Sequence, residues 1–180
     1  MTKKSLEKAI GDHLRKKSCT LSIAESCTGG LINDRITDVP GSSDYFMGGM
    51  ITYSNESKAR HLGVPLDDIK KYGAVSPQVA KKMAQGVRKA FSTNFGLSTT
   101  GIAGPTGGTK EKPVGLVFIG LAKGKRTWVI KLILEGSRRE IKEKATEKAL
   151  KFFYERLVEK EGFSMKIKVK GQKVKVKTPV

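Results

Sequence analysis

Short apolar stretches of strand length alternate with amphipathic stretches of helical period through the first half of the chain, and a strand hairpin follows late. This order constrains the fold more than any other feature. Parallel strands need crossover connections, whereas hairpins need antiparallel neighbours. The pattern predicts an α/β fold of three α/β/α layers, with a mixed sheet of about five strands carrying helices on both faces.

The elements can be read in order. Leu6, Ile10 and Leu14 recur at four-residue spacing with Ala9 and His13 alongside, which predicts an amphipathic helix. Residues 20–26 read as a short buried strand, Gly29 and Gly30 as a sharp turn, and Leu31, Ile32 and Ile36 as the helix after it. Residues 45–54 form the next strand candidate, loosened by Gly48 and Gly49, and residues 55–62 and 65–71 read as short helices ended by Gly63 and Gly73. Ser76-Pro77 is a helix start, a capping serine with proline in the first turn. From Val79 to Phe91 the apolar residues then hold helical period. Residues 95–100 read as a strand running into the glycine-rich stretch 101–108. Residues 114–122 and 126–135 form the hairpin around Gly124, with Trp128, Ile130, Leu132 and Leu134 on one face. Ser137 and Glu140 have capping-box spacing, and Ile141, Ala145, Ala149, Phe152, Phe153 and Leu157 continue as a long amphipathic helix.

A length of 180 residues suits one compact domain, assigned here to residues 1–163, and a hydrophobic fraction of 38% can supply its core. Residues 164–180 carry six lysines and no acid, and read as a small basic hairpin or a disordered appendage. No apolar run approaches the roughly 20 residues that span a bilayer, and the N-terminus does not read as a secretory signal. We therefore expect a cytoplasmic protein with no membrane association. Cys19 and Cys27 are expected to be buried free thiols. With His13 and His61 so scattered, no metal set is expected, and His13 reads as a partly buried packing residue. The net charge of +18 implies attraction to polyanions, hence weak nonspecific nucleic-acid binding.

Four segments can carry chemistry. In AESCTGG at 24–30, Ser26 stands at a strand end just before a helix, where a nucleophile projects from the sheet edge and helix N–H groups can stabilise an oxyanion. The alternatives are that Ser26 and Thr28 cap the helix, or that Cys27 is the nucleophile. In TYSNESK at 52–58, Lys58 lies in the first turn of a helix. The positive end of the macrodipole, and burial, would lower its pKa and leave a neutral amine able to take a proton from serine. Tyr53 could relay that proton or hold the lysine; the alternative is a surface lysine beside a packing tyrosine. The stretch 101–108 lets backbone approach a ligand closely but fits neither a P-loop nor a dinucleotide fingerprint, and its alternative is a flexible surface loop. Arg138 and Arg139 begin the last helix, where an arginine suits a phosphate or carboxylate, or plain solvation.

Taken together with PGSS at 40–43, GAVS at 73–76, TGIAGPTGG at 100–108 and KPVG at 112–115, these segments resemble the CinA C-terminal domain family from about Leu6 to Val158. Its enzymatic members are nicotinamide-nucleotide amidohydrolases, also called NMN deamidases (PncC). The resemblance implies hydrolysis of nicotinamide mononucleotide to nicotinate mononucleotide and ammonia, with no metal and no organic cofactor. It places the family's reactive serine on Ser26, its lysine on Lys58 and its tyrosine on Tyr53. It makes Thr28, Gly29, Gly30, Thr100, Gly101 and Gly104 substrate-pocket positions and Arg138 a phosphate anchor. It also implies a homo-oligomer. Many longer relatives carry an additional N-terminal nucleotide-processing domain, which is not expected here. The lysine-rich tail departs from the family pattern.

Two other readings stand beside the amidohydrolase. The domain could serve as a scaffold for nucleic-acid binding through its basic surface, or as an amidase for another small amide.

Overall fold

The computed structural model describes residues 5–159. The expected tail at 164–180 lies outside the described residues. Five strands, β1 (Leu21–Glu25), β2 (Phe46–Ile51), β3 (Phe95–Gly101), β4 (Leu116–Lys123) and β5 (Arg126–Ile133), form one sheet in the order β2-β1-β3-β4-β5. β1 pairs in parallel with β2 and β3, while β3–β4 and β4–β5 are antiparallel. The sheet is therefore mixed, as the alternation of elements predicts.

Side-chain alternation along the strands sends two cores in opposite directions. On β4, Val117, Ile119 and Leu121 join Leu21, Ile23 and Leu97 beneath α1 (Leu6–Lys16), α2 (Leu31–Thr37) and α6 (Arg138–Val158). Leu116 and Phe118 face the other way, towards α5 (Pro77–Ala90). α3 (Asn55–Leu62) and α4 (Leu66–Tyr72) cover that second face through Leu62 and Ile69. Phe153 of α6 is fully buried and meets Phe95 edge-on at 5.3 Å between ring centroids.

The helix starts are those expected from sequence. The Ser76 hydroxyl accepts the Val79 N–H with Pro77 in the first turn, and Ser137 and Glu140 close a reciprocal capping box on α6. Trp128, Ile130, Leu132 and Leu134 do pack together against one core. The strand after residue 45 is shorter than expected. It ends at Ile51 because residues 52–54 turn out of the sheet to start α3. Both cysteines are free, but only Cys27 is buried; Cys19 is half-buried in the turn after α1. His13 packs edge-on against Tyr154. Among the described residues no helix is long and apolar enough to cross a membrane.

One topological fact places the chemistry. β1, β2 and β3 run the same way, and two antiparallel steps bring β5 back to that direction. Four carboxyl ends therefore open on the same sheet edge. The segments following them are 26–30, 52–58, 101–108 and the start of α6, the four singled out by sequence.

Candidate active site

Ser26 directly follows β1 and is only 8% exposed. Lys58 stands one turn into α3 and is 1% exposed, among the largest fully buried side chains of the protein. Its Nζ lies 3.2 Å from Ser26 Oγ, 2.8 Å from the Thr52 carbonyl oxygen and 3.1 Å from that of Tyr53. The Ser54 carbonyl oxygen stands further off at 3.5 Å. Nζ donates to the serine hydroxyl and to these carbonyls, and on losing a proton it can turn its lone pair to the serine O–H while still donating to two carbonyls. Burial lowers the lysine pKa from its ordinary value, partly opposed by Cys27 and Glu56. The cause is thus desolvation. Nζ is turned back onto the carbonyl oxygens of Thr52, Tyr53 and Ser54, which precede α3.

The capping alternative for Ser26 and Thr28 does not hold. α2 begins after Gly30 with no capping side chain of its own. The buried carboxylate of Glu25 does that work from the end of β1, accepting the N–H groups of Gly30 at 2.9 Å, Ile32 at 3.1 Å and Asn33 at 2.8 Å, and the Asn33 side-chain amide. The expectation that these helix amides face an oxyanion is therefore corrected, because a buried acceptor already holds them. The elbow amides of Cys27 and Thr28 remain. Among the described residues they find no oxygen acceptor and face the Cys27 sulfur, a weak one. Burial pushes the Cys27 thiol up to about 12, so it is neutral at neutral pH and a poor rival nucleophile.

A cavity of about 260 Å³ opens over Ser26. Ser26, Lys58, Tyr53, Thr100, Gly101, Gly104 and Arg138 all line it, with Cys27. Thr28, Gly29 and Gly30 do not. Thr28 is fully buried behind the elbow with its hydroxyl 2.7 Å from that of Thr99, and the two glycines form the turn into α2. Gly101 is required by packing, since a Cβ there would stand 2.6 Å from the Leu116 carbonyl oxygen. The start of the glycine-rich stretch is hydrogen-bonded to the chain at the start of β4, the Ile102 N–H donating to Leu116 O and the Gly115 N–H to Ile102 O, while residues 105–108 are exposed.

Tyr53 touches the lysine through its main-chain carbonyl only. Its phenol instead accepts from Arg138 at 2.9 Å, while the same guanidinium donates to Gly104 O at 2.7 Å. Arg138 thus ties the segment after β2 to the loop after β3 across the cavity mouth. Arg139 lies outside the cavity, paired with Glu143 along the helix surface. Sequence reasoning gave no role to Glu25, to the carbonyls of Thr52 and Tyr53, or to the apolar walls Ala74 and Val75, which fall in the segment GAVS at 73–76; the walls Ile102 and Ala103 lie in the glycine-rich stretch it marked.

The geometry is thus a buried serine–lysine pair under a small cavity with apolar walls and one arginine at its mouth. Comparison with known proteins adds the lineage. The family model described as the CinA C-terminal domain matches residues 3–157. A CinA-like protein of Dictyoglomus thermophilum is 55% identical over 149 residues, covering 82% of this chain and 36% of the relative. A CinA-like protein of Kosmotoga olearia is 52% identical over 148 residues, with the same coverage of each. The chain spans a little over a third of the length of these curated relatives. Among solved structures, the competence/damage inducible protein CihA from Agrobacterium tumefaciens has a TM-score of 0.82 and 36% identity over 86% of this chain and 94% of its own. A competence or damage-inducible protein from Enterobacter asburiae has the same TM-score at 27% identity, covering 84% and 96%. By sequence and by fold alike, the chain belongs to the CinA C-terminal domain family.

Proposed function

We propose that the protein is a serine amidohydrolase that converts nicotinamide mononucleotide to nicotinate mononucleotide and ammonia. The observation that carries this reading is the 3.2 Å contact between Ser26 Oγ and a buried lysine whose charged form is disfavoured. A lysine with a lowered pKa at hydrogen-bond distance from a serine hydroxyl is suited to act as its general base once it gives up a proton.

The proposed steps use these groups in turn. Lys58 Nζ takes the Ser26 proton as Oγ attacks the carboxamide carbon. The carbonyl oxygen becomes an oxyanion, for which the Cys27 N–H at the cavity-lining elbow is the candidate donor. Collapse of that intermediate breaks the C–N bond, and Lys58 returns its proton to the departing ammonia. A water, deprotonated by Lys58, then attacks the acyl ester; the ester C–O bond breaks as Lys58 returns that proton to Ser26 Oγ, and the acid released ionises to the carboxylate. Ala74, Val75, Ile102 and Ala103 offer apolar surface to the pyridine ring, and Arg138 at the mouth suits the phosphate.

Ammonia release from the nucleotide, measured with chelator present for the wild type, Ser26→Ala and Lys58→Ala, tests the reading. We expect release by the wild type and a loss of at least about 10³-fold in each folded variant. Ammonia from a different small carboxamide alone would move the substrate assignment. Wild-type rates in Ser26→Ala would overturn the mechanism.

A further inference from the structure

We infer that Glu25 is the positioning residue of the nucleophile, a proposal that rests on the serine-hydrolase reading above. Glu25 is fully buried, and no lysine or arginine pairs with it among the described residues. A carboxylate removed from water without a cation is costly unless hydrogen bonds satisfy it. All four of its donors belong to Gly30, Ile32 and Asn33, at the far end of the turn that carries Ser26. The side chain before the nucleophile therefore clamps the residues after it, and closes residues 26–29 into a fixed turn on the end of β1.

This clamp has two consequences at the reacting atoms. Ser26 Oγ is held facing Lys58 Nζ although the turn contains Gly29 at φ 64° and Gly30 at φ 101° and would otherwise be pliable. Because Glu25 holds the Gly30, Ile32 and Asn33 N–H groups, these are not available to an oxyanion, and the Cys27 N–H at the cavity-lining elbow is the candidate donor. Both oxygens of the carboxylate are needed: one takes the Gly30 N–H, the other those of Ile32 and Asn33. A glutamine has a single acceptor oxygen, and its NH2 group must then face a buried N–H. Glu25→Gln keeps the shape of the side chain and breaks the clamp at one end.

The experiment measures kcat and KM for ammonia release together with the rate at which a fluorophosphonate probe labels Ser26, followed by mass spectrometry. Far-UV circular dichroism and thermal melting of each variant report the fold. For Glu25→Gln we expect kcat to fall by roughly 100-fold, as a displacement of about 1 Å at the reacting centre can do. KM should stay near wild type, and probe labelling should slow in parallel with kcat. The pH profile should keep its shape, because the clamp acts on the position of Ser26 and not on the proton of Lys58. Asn33→Ala removes one donor only. If Glu25→Gln does not fold, a several-fold fall in kcat for a folded Asn33→Ala supports the clamp and an unchanged kcat refutes it. Wild-type kcat and labelling in folded Glu25→Gln, or a rise in KM alone, overturns the proposal. A wild type that is labelled but releases no ammonia from the nucleotide removes the substrate assignment and leaves the labelling comparison to decide on Glu25. A wild type that does neither overturns both.

Discussion

The Nζ of Lys58 sits between Ser26 Oγ at 3.2 Å and the carbonyl oxygens of Thr52 and Tyr53 at 2.8 and 3.1 Å. The carbonyls aim the amine, and burial favours its neutral form. Arginine tests the distinction between charge and basicity, because a guanidinium donates hydrogen bonds but does not surrender its proton. Lys58→Arg and Lys58→Met are therefore expected to lose similar amounts, about 10² to 10⁴-fold in kcat, with KM little changed. An arginine variant with most of the activity would show that Lys58 acts only as a fixed charge.

The lowered lysine pKa also has a signature in stability. The folded protein releases the Lys58 proton at a lower pH than the unfolded chain, where the ordinary value of about 10.4 applies. Between those two values the unfolded state binds more protons, so stability rises with pH. Below the folded value the full cost of burying the ammonium is present; above about 10.4 it has vanished. Lys58→Met lacks this dependence. The difference in unfolding free energy between Lys58→Met and the wild type, from urea denaturation at a series of pH values, should favour the variant most at low pH. It should shrink as pH rises through the window. A difference flat with pH would mean that Lys58 is not desolvated. The same titration predicts that kcat/KM rises with pH on its acid side, with its midpoint below the ordinary lysine value.

Cys27 adjoins the nucleophile, and its thiol is pushed up to about 12 by burial. Only the thiolate alkylates quickly. In the native protein near neutral pH, iodoacetamide is expected to modify the half-buried Cys19 well before Cys27, as read by peptide mass spectrometry. Unfolding in urea should equalise the two. Rapid native labelling of Cys27, with loss of activity, would reinstate it as the nucleophile.

Much of this was legible in the chain because local chemistry wrote it there. Ser76-Pro77 and the Ser137–Glu140 pair are self-contained helix starts, readable without knowing what the helices pack against. Ser26, Lys58 and the glycine-rich stretch fell at strand ends, and the strand order then brought those ends together. The remainder was carried by groups with no residue signature. The lysine is aimed by carbonyl oxygens, which every residue has, and it was the early end of β2 at Ile51 that freed them. Glu25 reads in sequence as a charged residue closing an apolar strand. Its partners are amides of a turn that exists only once α2 has folded back onto β1. The place of Tyr53 just before α3 suggests a phenol acting on the lysine, and the structure turns that phenol to Arg138 instead.

The Arg138 bridge separates two contributions that sequence could not. One guanidinium nitrogen donates to the Tyr53 hydroxyl and another to the Gly104 carbonyl, so the side chain holds two cavity walls as well as a positive charge. Tyr53→Phe removes only the hydroxyl end of the bridge. Since the lysine contact of Tyr53 is through its main chain, kcat in this variant should fall by less than about tenfold, the scale of one net hydrogen bond. Arg138→Met removes both anchors and the charge. It should raise KM for the nucleotide by about 10 to 100-fold, the scale of hydrogen bonds to a charged group. If Arg138 also engages the phosphate, that rise should be much smaller for the corresponding nucleoside, which has none. Steady-state kinetics of both variants on both substrates decide the point. A Tyr53→Phe loss as large as that of Lys58→Met would instead place the phenol in the proton transfer itself.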